Sequence, residues 1–292
     1  MGMDFMPAFI PSGLGWRPDL PDPRDYQPDR ADLEKVLGRL KRQSTASKRA
    51  DWREYCPPAD DRTPVEAGVA RACVALLQYF ERRATGEIIE PSTSFLDYTS
   101  RRMLACVDAR QAKCLCHDGE QLRAAWKAIV RFGVPRVQDW PSAGENFGRE
   151  PDAFAYAAAL KFPGMHYVRL DGGRQSAEAV LESIKSFLAA GFALVFGFSV
   201  CTSVTADADI PYSTIFDGIR GGRAAMAVGY DDNRQARSWR GALLITPFWG
   251  NAWGEGSYGW LPYCYVTAGL AVDFWTLVRT EWLASGEFER PA

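Results

Sequence analysis

With 292 residues, 47% of them hydrophobic and 24% charged, the chain has an ordinary globular composition, long enough for one large domain or two lobes. Its 34 basic and 36 acidic side chains leave a formal charge of -2, without the basic excess that a nucleic-acid or membrane-surface partner would show. Seven cysteines without a dense framework, and no basic-then-apolar leader, predict reduced thiols in a cytoplasm.

Residues 1–60 are rich in Pro and Asp, with the run RPDLPDPRDYQPD from Arg17, and prolines at this density keep a chain extended. The expectation is a segment that wraps over a surface, interrupted by a short amphipathic stretch with Leu33, Val36, Leu37 and Leu40 on one side. From Ala72 the pattern is helical: Val74, Leu77 and Phe80 recur at helical spacing, with Cys73 in the first turn. Leu122, Ala125, Trp126, Ile129 and Val130 predict another helix that stops at Gly133. Ser176 is placed to cap a third, which carries Val180, Leu181, Ile184, Phe187 and Leu188 and ends at Gly191. The uncharged run Ser186–Ala206 predicts a helix end followed by a buried strand rather than a membrane span.

Phe192–Val200, Ala224–Tyr230 and Ala242–Phe248 are short apolar runs bounded by Gly, Asp and Asn, as strands are. Helices in the middle third and strands in the last third predict an α+β fold. The boundaries expected are an extended segment over 1–60, a mainly helical lobe over 61–165 and a β-rich lobe over 166–292.

Four segments carry a resemblance. They are GLGWRPDLPDPRDY from Gly13, DWREYCPP with VEAGVARACVA, GGRAAMAVGYDD from Gly221, and PFWGNAWGEGSYGWLPY from Pro247. Together they resemble the bacterial branch of the papain-like (C1) cysteine peptidases. The resemblance implies two lobes, one helical and one a β-barrel, with a cleft between them. It also implies a nucleophile at the N-terminus of the central helix, where unpaired N–H groups and the helix dipole stabilise a thiolate and an oxyanion.

Laid on the family pattern, Glu66 takes the acidic position, Ala67 that of the oxyanion-hole Gln, Gly68 that of the glycine after it, and Cys73 that of the nucleophile. Gly221 and Gly222 match the paired glycines, Arg223 stands where the His belongs, and Pro247 stands where the Asn belongs. Trp249 and Gly250 match the residues that follow. Alanine offers no oxyanion donor, a loss worth about 10²–10³ in rate. Proline cannot orient a base, and arginine, never deprotonated near neutral pH, cannot shuttle a proton.

Two readings of the pair stand. In one, Arg223 and the helix dipole lower the thiol pKa of Cys73 and leave a thiolate without an acid. In the other, Cys73 is a small buried side chain and Arg223 a filler paired with a carboxylate such as Asp231 or Asp217. His117, in CLCHDG, is the remaining histidine expected near the cleft, while His166 belongs to a strand. Cys106, Cys114, Cys116 and His117 lack the second half of a zinc site, and no phosphate loop stands out, so no metal or cofactor is expected. The expected function is that of a pseudopeptidase whose cleft binds a peptide or protein partner. The alternatives are acyl transfer by a Cys73 thiolate, or a structural role in an assembly.

Overall fold

The protein is described from a computed structural model over residues 11, 13–27, 47–58, 67–107, 119–142, 146–173, 175–212, 215–284 and 288. Glu66, His117, Cys114, Cys116, the Cys106 side chain and the stretch Leu33–Leu40 lie outside what is described.

The helices are α1 (Gly68–Thr85), α2 (Thr93–Val107), α3 (Leu122–Phe132), α4 (Ala153–Ala158), α5 (Ala177–Ala189), α6 (Cys264–Thr267) and α7 (Thr280–Ala284). The strands are β1 (Arg49–Asp51), β2 (Met165–Arg169), β3 (Leu194–Cys201), β4 (Ile219–Ala236), β5 (Trp239–Thr246), β6 (Gly259–Pro262) and β7 (Ala271–Arg279). All the strands join one antiparallel sheet in the order β2-β7-β3-β4-β5-β6, with β1 paired to β4. This is the α+β architecture that the segregated pattern predicts.

Helix α1 is the centre of the molecule. It packs on α2 and α3 on one side and on β4, β3 and β7 on the other, so it is buried almost all round. The close approach has a compositional cause. Ala70, Ala72 and Ala75 on the helix and Ala224, Ala225 and Ala227 on β4 are buried small residues that let helix and sheet axes draw together. Gly86, at φ 77°, takes the left-handed turn that ends α1.

The predicted helix from Ala72 begins four residues earlier, at Gly68, which changes the geometry of the site. The helix ending at Gly133 and the Ser176 cap agree with expectation, with Ser176 Oγ accepting from Ala179 N at 3.2 Å. Helix α2 was not apparent in the sequence. Its first two turns are buried on every side, with Ser94, Asp97, Thr99 and Ser100 interspersed among Phe95, Leu96 and Tyr98, so no apolar stripe at helical spacing marks it.

Helices α1 and α3 lack caps of their own, since neither Ala67 nor Gln121 contributes a side-chain bond. Carboxylates from elsewhere do the capping. Glu120 Oε2 accepts from Val69 N at 2.8 Å, and Asp19 Oδ2 accepts from Arg123 N at 2.9 Å.

Candidate active site

The first turn of α1 faces β4 across the seam between helices and sheet. Arg223, on β4, is fully buried. Its guanidinium donates from Nε to the Pro247 carbonyl at 2.8 Å, from Nη1 to Gly13 at 2.8 Å and from Nη2 to Phe248 at 3.1 Å. Arg223 and Pro247 are therefore brought together, as the family's base and its partner would be. The contact runs through the proline carbonyl, because proline has no side-chain acceptor. Phe248 holds φ 57°, an uncommon conformation for a bulky residue, and its carbonyl is one of the three that Arg223 binds.

Across the seam, Arg223 meets Gly68. A Cβ built on Gly68 would lie 3.0 Å from Nη1 and 3.4 Å from Cζ of Arg223. Cys73 stands five residues further along α1, roughly 7.5 Å down the axis and about 140° around it. It is fully buried, and burial pushes its thiol pKa well up, with the Glu120 and Asp19 carboxylates adding in the same direction. The expectation of an acidified thiol beside Arg223 is corrected accordingly. The thiol is a neutral core group, and its electrostatic neighbours are acids.

One prediction follows directly. Alkylation of Cys73 in the folded protein at pH 7–9 is expected to run at least about a hundredfold slower than in unfolded chain. Equal rates would place the thiol at the surface.

The groove between the start of α3 and β4 is filled by the chain's own N-terminal segment. Arg17 N donates to Glu120 O at 2.9 Å and Glu120 N to Gly15 O at 2.7 Å, a parallel bridge centred on Trp16. From the other side, Trp16 N donates to Gly222 O at 3.1 Å. The indole rests on two strands that lack side chains at that point. A Cβ on Gly197 would fall inside the ring, and one on Gly222 would lie 2.6 Å from Cε3. Leu14 sits as closely on Gly221, where a Cβ would come 2.9 Å from the leucine Cβ.

Trp249 is half-buried, edge-on to Trp253 with ring centroids 5.0 Å apart, and Gly250 turns the chain at φ 91°. Trp253 Nε1 donates to Thr205 O at 3.0 Å, so this tryptophan pair holds the loop. Ala67 is buried at the N-cap of α1. A cavity of about 380 Å³ runs along α1, lined by Arg71, Val74, Gln78, Thr246, Phe248 and Tyr258. Cys73, about 200° around the helix from Arg71, does not line it. Among the described residues no group of three His, Cys, Asp or Glu could hold a metal ion, and no helix is long and apolar enough to cross a membrane.

The solved structure of Xylellain, a cysteine protease from Xylella fastidiosa, superposes with a TM-score of 0.70 at 26% identity. The match covers 92% of this chain and 96% of that one. The chain is a homologue of the papain-like cysteine peptidases. The proform of the ragweed pollen cysteine protease Amb a 11 shares the papain-like fold, with a TM-score of 0.57 at 19% identity over 80% of this chain and 65% of that one. An uncharacterized peptidase C1-like protein of Acanthamoeba polyphaga mimivirus is 29% identical over 194 residues, 64% of this chain and 58% of that protein. The homologue thus spans little more than half of that viral relative. No family model matches the chain.

Two features of this papain-like site escaped the sequence pattern. Glu120 gave no local signal as a helix cap, because its partner Val69 is 51 residues away. Gly68 was obscured by Cys73, the residue whose type fits the pattern.

Proposed function

We propose that the protein is a papain-like homologue without peptidase chemistry, whose cleft serves to dock an extended peptide segment. The observation that carries the reading is that α1 begins at Gly68, opposite Arg223. A nucleophile at the helix N-terminus, facing the base position, would have to stand at Gly68, which has no side chain. In this register Ala67 becomes the residue before the nucleophile, and the oxyanion Gln position moves to Arg62, outside the described residues. Nucleophile, base and orienting side chain are then all missing. The thiolate alternative has no support, since Cys73 is buried and its pKa is raised.

Docking is supported by the main-chain ladder on Glu120 and Gly222, which an extended segment satisfies without catalysis. Among the described residues the free thiols Cys56, Cys73, Cys201 and Cys264 suit a reducing, cytoplasmic compartment. Ile215 and Phe216, exposed on the β3–β4 connection, and Ile219, exposed at the start of β4, favour a protein contact outside the cleft as a second reading.

The test has two arms. Wild type and Cys73→Ala are expected to release no product above background from generic peptide substrates. Hydrolysis lost in Cys73→Ala would sink the reading. In the second arm, Trp16→Ala vacates the indole pocket, and a labelled peptide of sequence GLGWRPD is expected to bind it saturably by fluorescence anisotropy. No binding up to millimolar peptide would remove the docking role.

A further inference from the structure

Glu120 has three attachments at once. Its main chain holds Gly15 and Arg17, and its Oε2 caps α1 at Val69. Its Oε1 is buried and lies against the Asp97 carboxyl of α2, with Arg101 Nη2 at 3.6 Å. Arg101 already donates to Asp97 Oδ1 from Nε at 3.1 Å and from Nη2 at 2.9 Å. One guanidinium therefore serves two buried carboxyls. The other charged or titratable groups facing Glu120 do not add a cation at its carboxylate. Cys73, from α1, is neutral and feels the Asp19 carboxylate of the N-terminal segment as well. The aliphatic stem of Arg17 packs on Gly119, the preceding residue.

Two carboxylate oxygens in a dry site repel unless a proton sits between them. We propose that Glu120 and Asp97 share one proton, and that its loss releases residues 13–17 from the groove. The inference names a control on the docking groove proposed above and takes its purpose from that reading. Burial first, then the Asp97 charge, raises the Glu120 carboxyl to about 8, while the Val69 N–H and Arg101 pull it down only in part.

The sign follows from linkage. The docked state keeps a proton that a solvated glutamic acid loses near pH 4.5, so docking is strongest in acid. It weakens by up to about tenfold per pH unit as the pH rises toward 8, and levels off above that. Solvation of Glu120 on release is favourable for the ionised form, and the α1 N-terminus then faces water.

The experiment is hydrogen exchange of the Trp16 and Arg17 amides in the full chain, corrected for the chemical rate at each pH. Wild type is expected to lose at least about tenfold protection between pH 6 and pH 8. Amides of β3 serve as the reference for global opening. Glu120→Gln keeps a hydrogen bond to Asp97 and an acceptor for Val69 without a titrating proton, so its protection is expected to stay level to within about threefold. That contrast separates Glu120 from Asp273 and Asp19, whose raised pKa values would act equally in both proteins. Level protection in wild type, or an equal pH dependence in Glu120→Gln, would overturn the proposal. If Glu120→Gln does not fold, Asp97→Asn removes the second carboxyl but leaves Glu120 buried and titrating, so its pH dependence is expected to be smaller than that of wild type, and an unchanged dependence would overturn the proposal. Because the readout is release itself, it stands apart from the peptide-binding arm. Release without peptide binding would sink the docking role alone, and binding without pH-dependent release would sink the proton latch alone.

Discussion

Arg223→Ala is expected to lower the free energy of unfolding by about 3–5 kcal/mol, through the cavity it leaves and the buried carbonyls that lose their donor. The guanidinium satisfies the carbonyls of Gly13, Pro247 and Phe248, which come from two stretches of chain more than 200 residues apart. Removing it leaves those acceptors without their donor in a dry site and opens a cavity the size of the side chain. Arg223→Lys is expected to recover only part of the loss. An ammonium on a single stem cannot reproduce a planar fork that reaches three carbonyls in different directions. Urea denaturation with an unchanged m-value checks the magnitude. A loss below about 1 kcal/mol would mean that the carbonyls find other donors and that Arg223 is incidental.

Trp16→Ala is the second large effect, expected at about 3–5 kcal/mol for a buried tryptophan, up to the full docking energy of the segment. Gly197→Ala should produce the same detachment from the opposite side. Its new methyl would occupy the space of the indole, while the strand beneath is fixed by pairing on both sides. If both changes act by undocking residues 13–17, the double variant should be no less stable than the worse single one, a non-additivity that marks a shared contact. Exchange protection at Trp16 and Arg17 is the direct readout. Full additivity would show that Gly197→Ala damages the sheet itself.

The sequence reached some of this and not the rest, for identifiable reasons. The strand runs around Ala224–Tyr230 and Ala242–Phe248 were legible because buried central strands are apolar without interruption, and the Ser176 cap because its partner lies three residues away. Pro247 and Arg223 could be brought together from their motifs alone, and they meet because β5, which Pro247 directly follows, pairs with β4. The register at α1 could not. Residues 67–72 read Ala-Gly-Val-Ala-Arg-Ala, mostly small and interrupted by an arginine, with no large apolar periodicity, so the helix seemed to start where larger side chains do. The place of Trp16 was out of reach, because it depends on Gly197 and Gly222 lying side by side in strands formed far along the chain.

The link between Asp19 and Asp273 bears on the order of assembly. Asp19 N donates to Asp273 Oδ2 at 2.6 Å across a separation of 254 residues. Asp25 in the same segment pairs with Arg123 at 2.6 Å and lies 3.6 Å from Arg169. Contacts that span most of a chain come late, since the entropy of closing so large a loop must be met before they contribute. The segment leaves the ribosome some 250 residues before Asp273, so its anchoring cannot be complete until β7 has been made. Until then a segment from another chain has its best opportunity to compete for the groove.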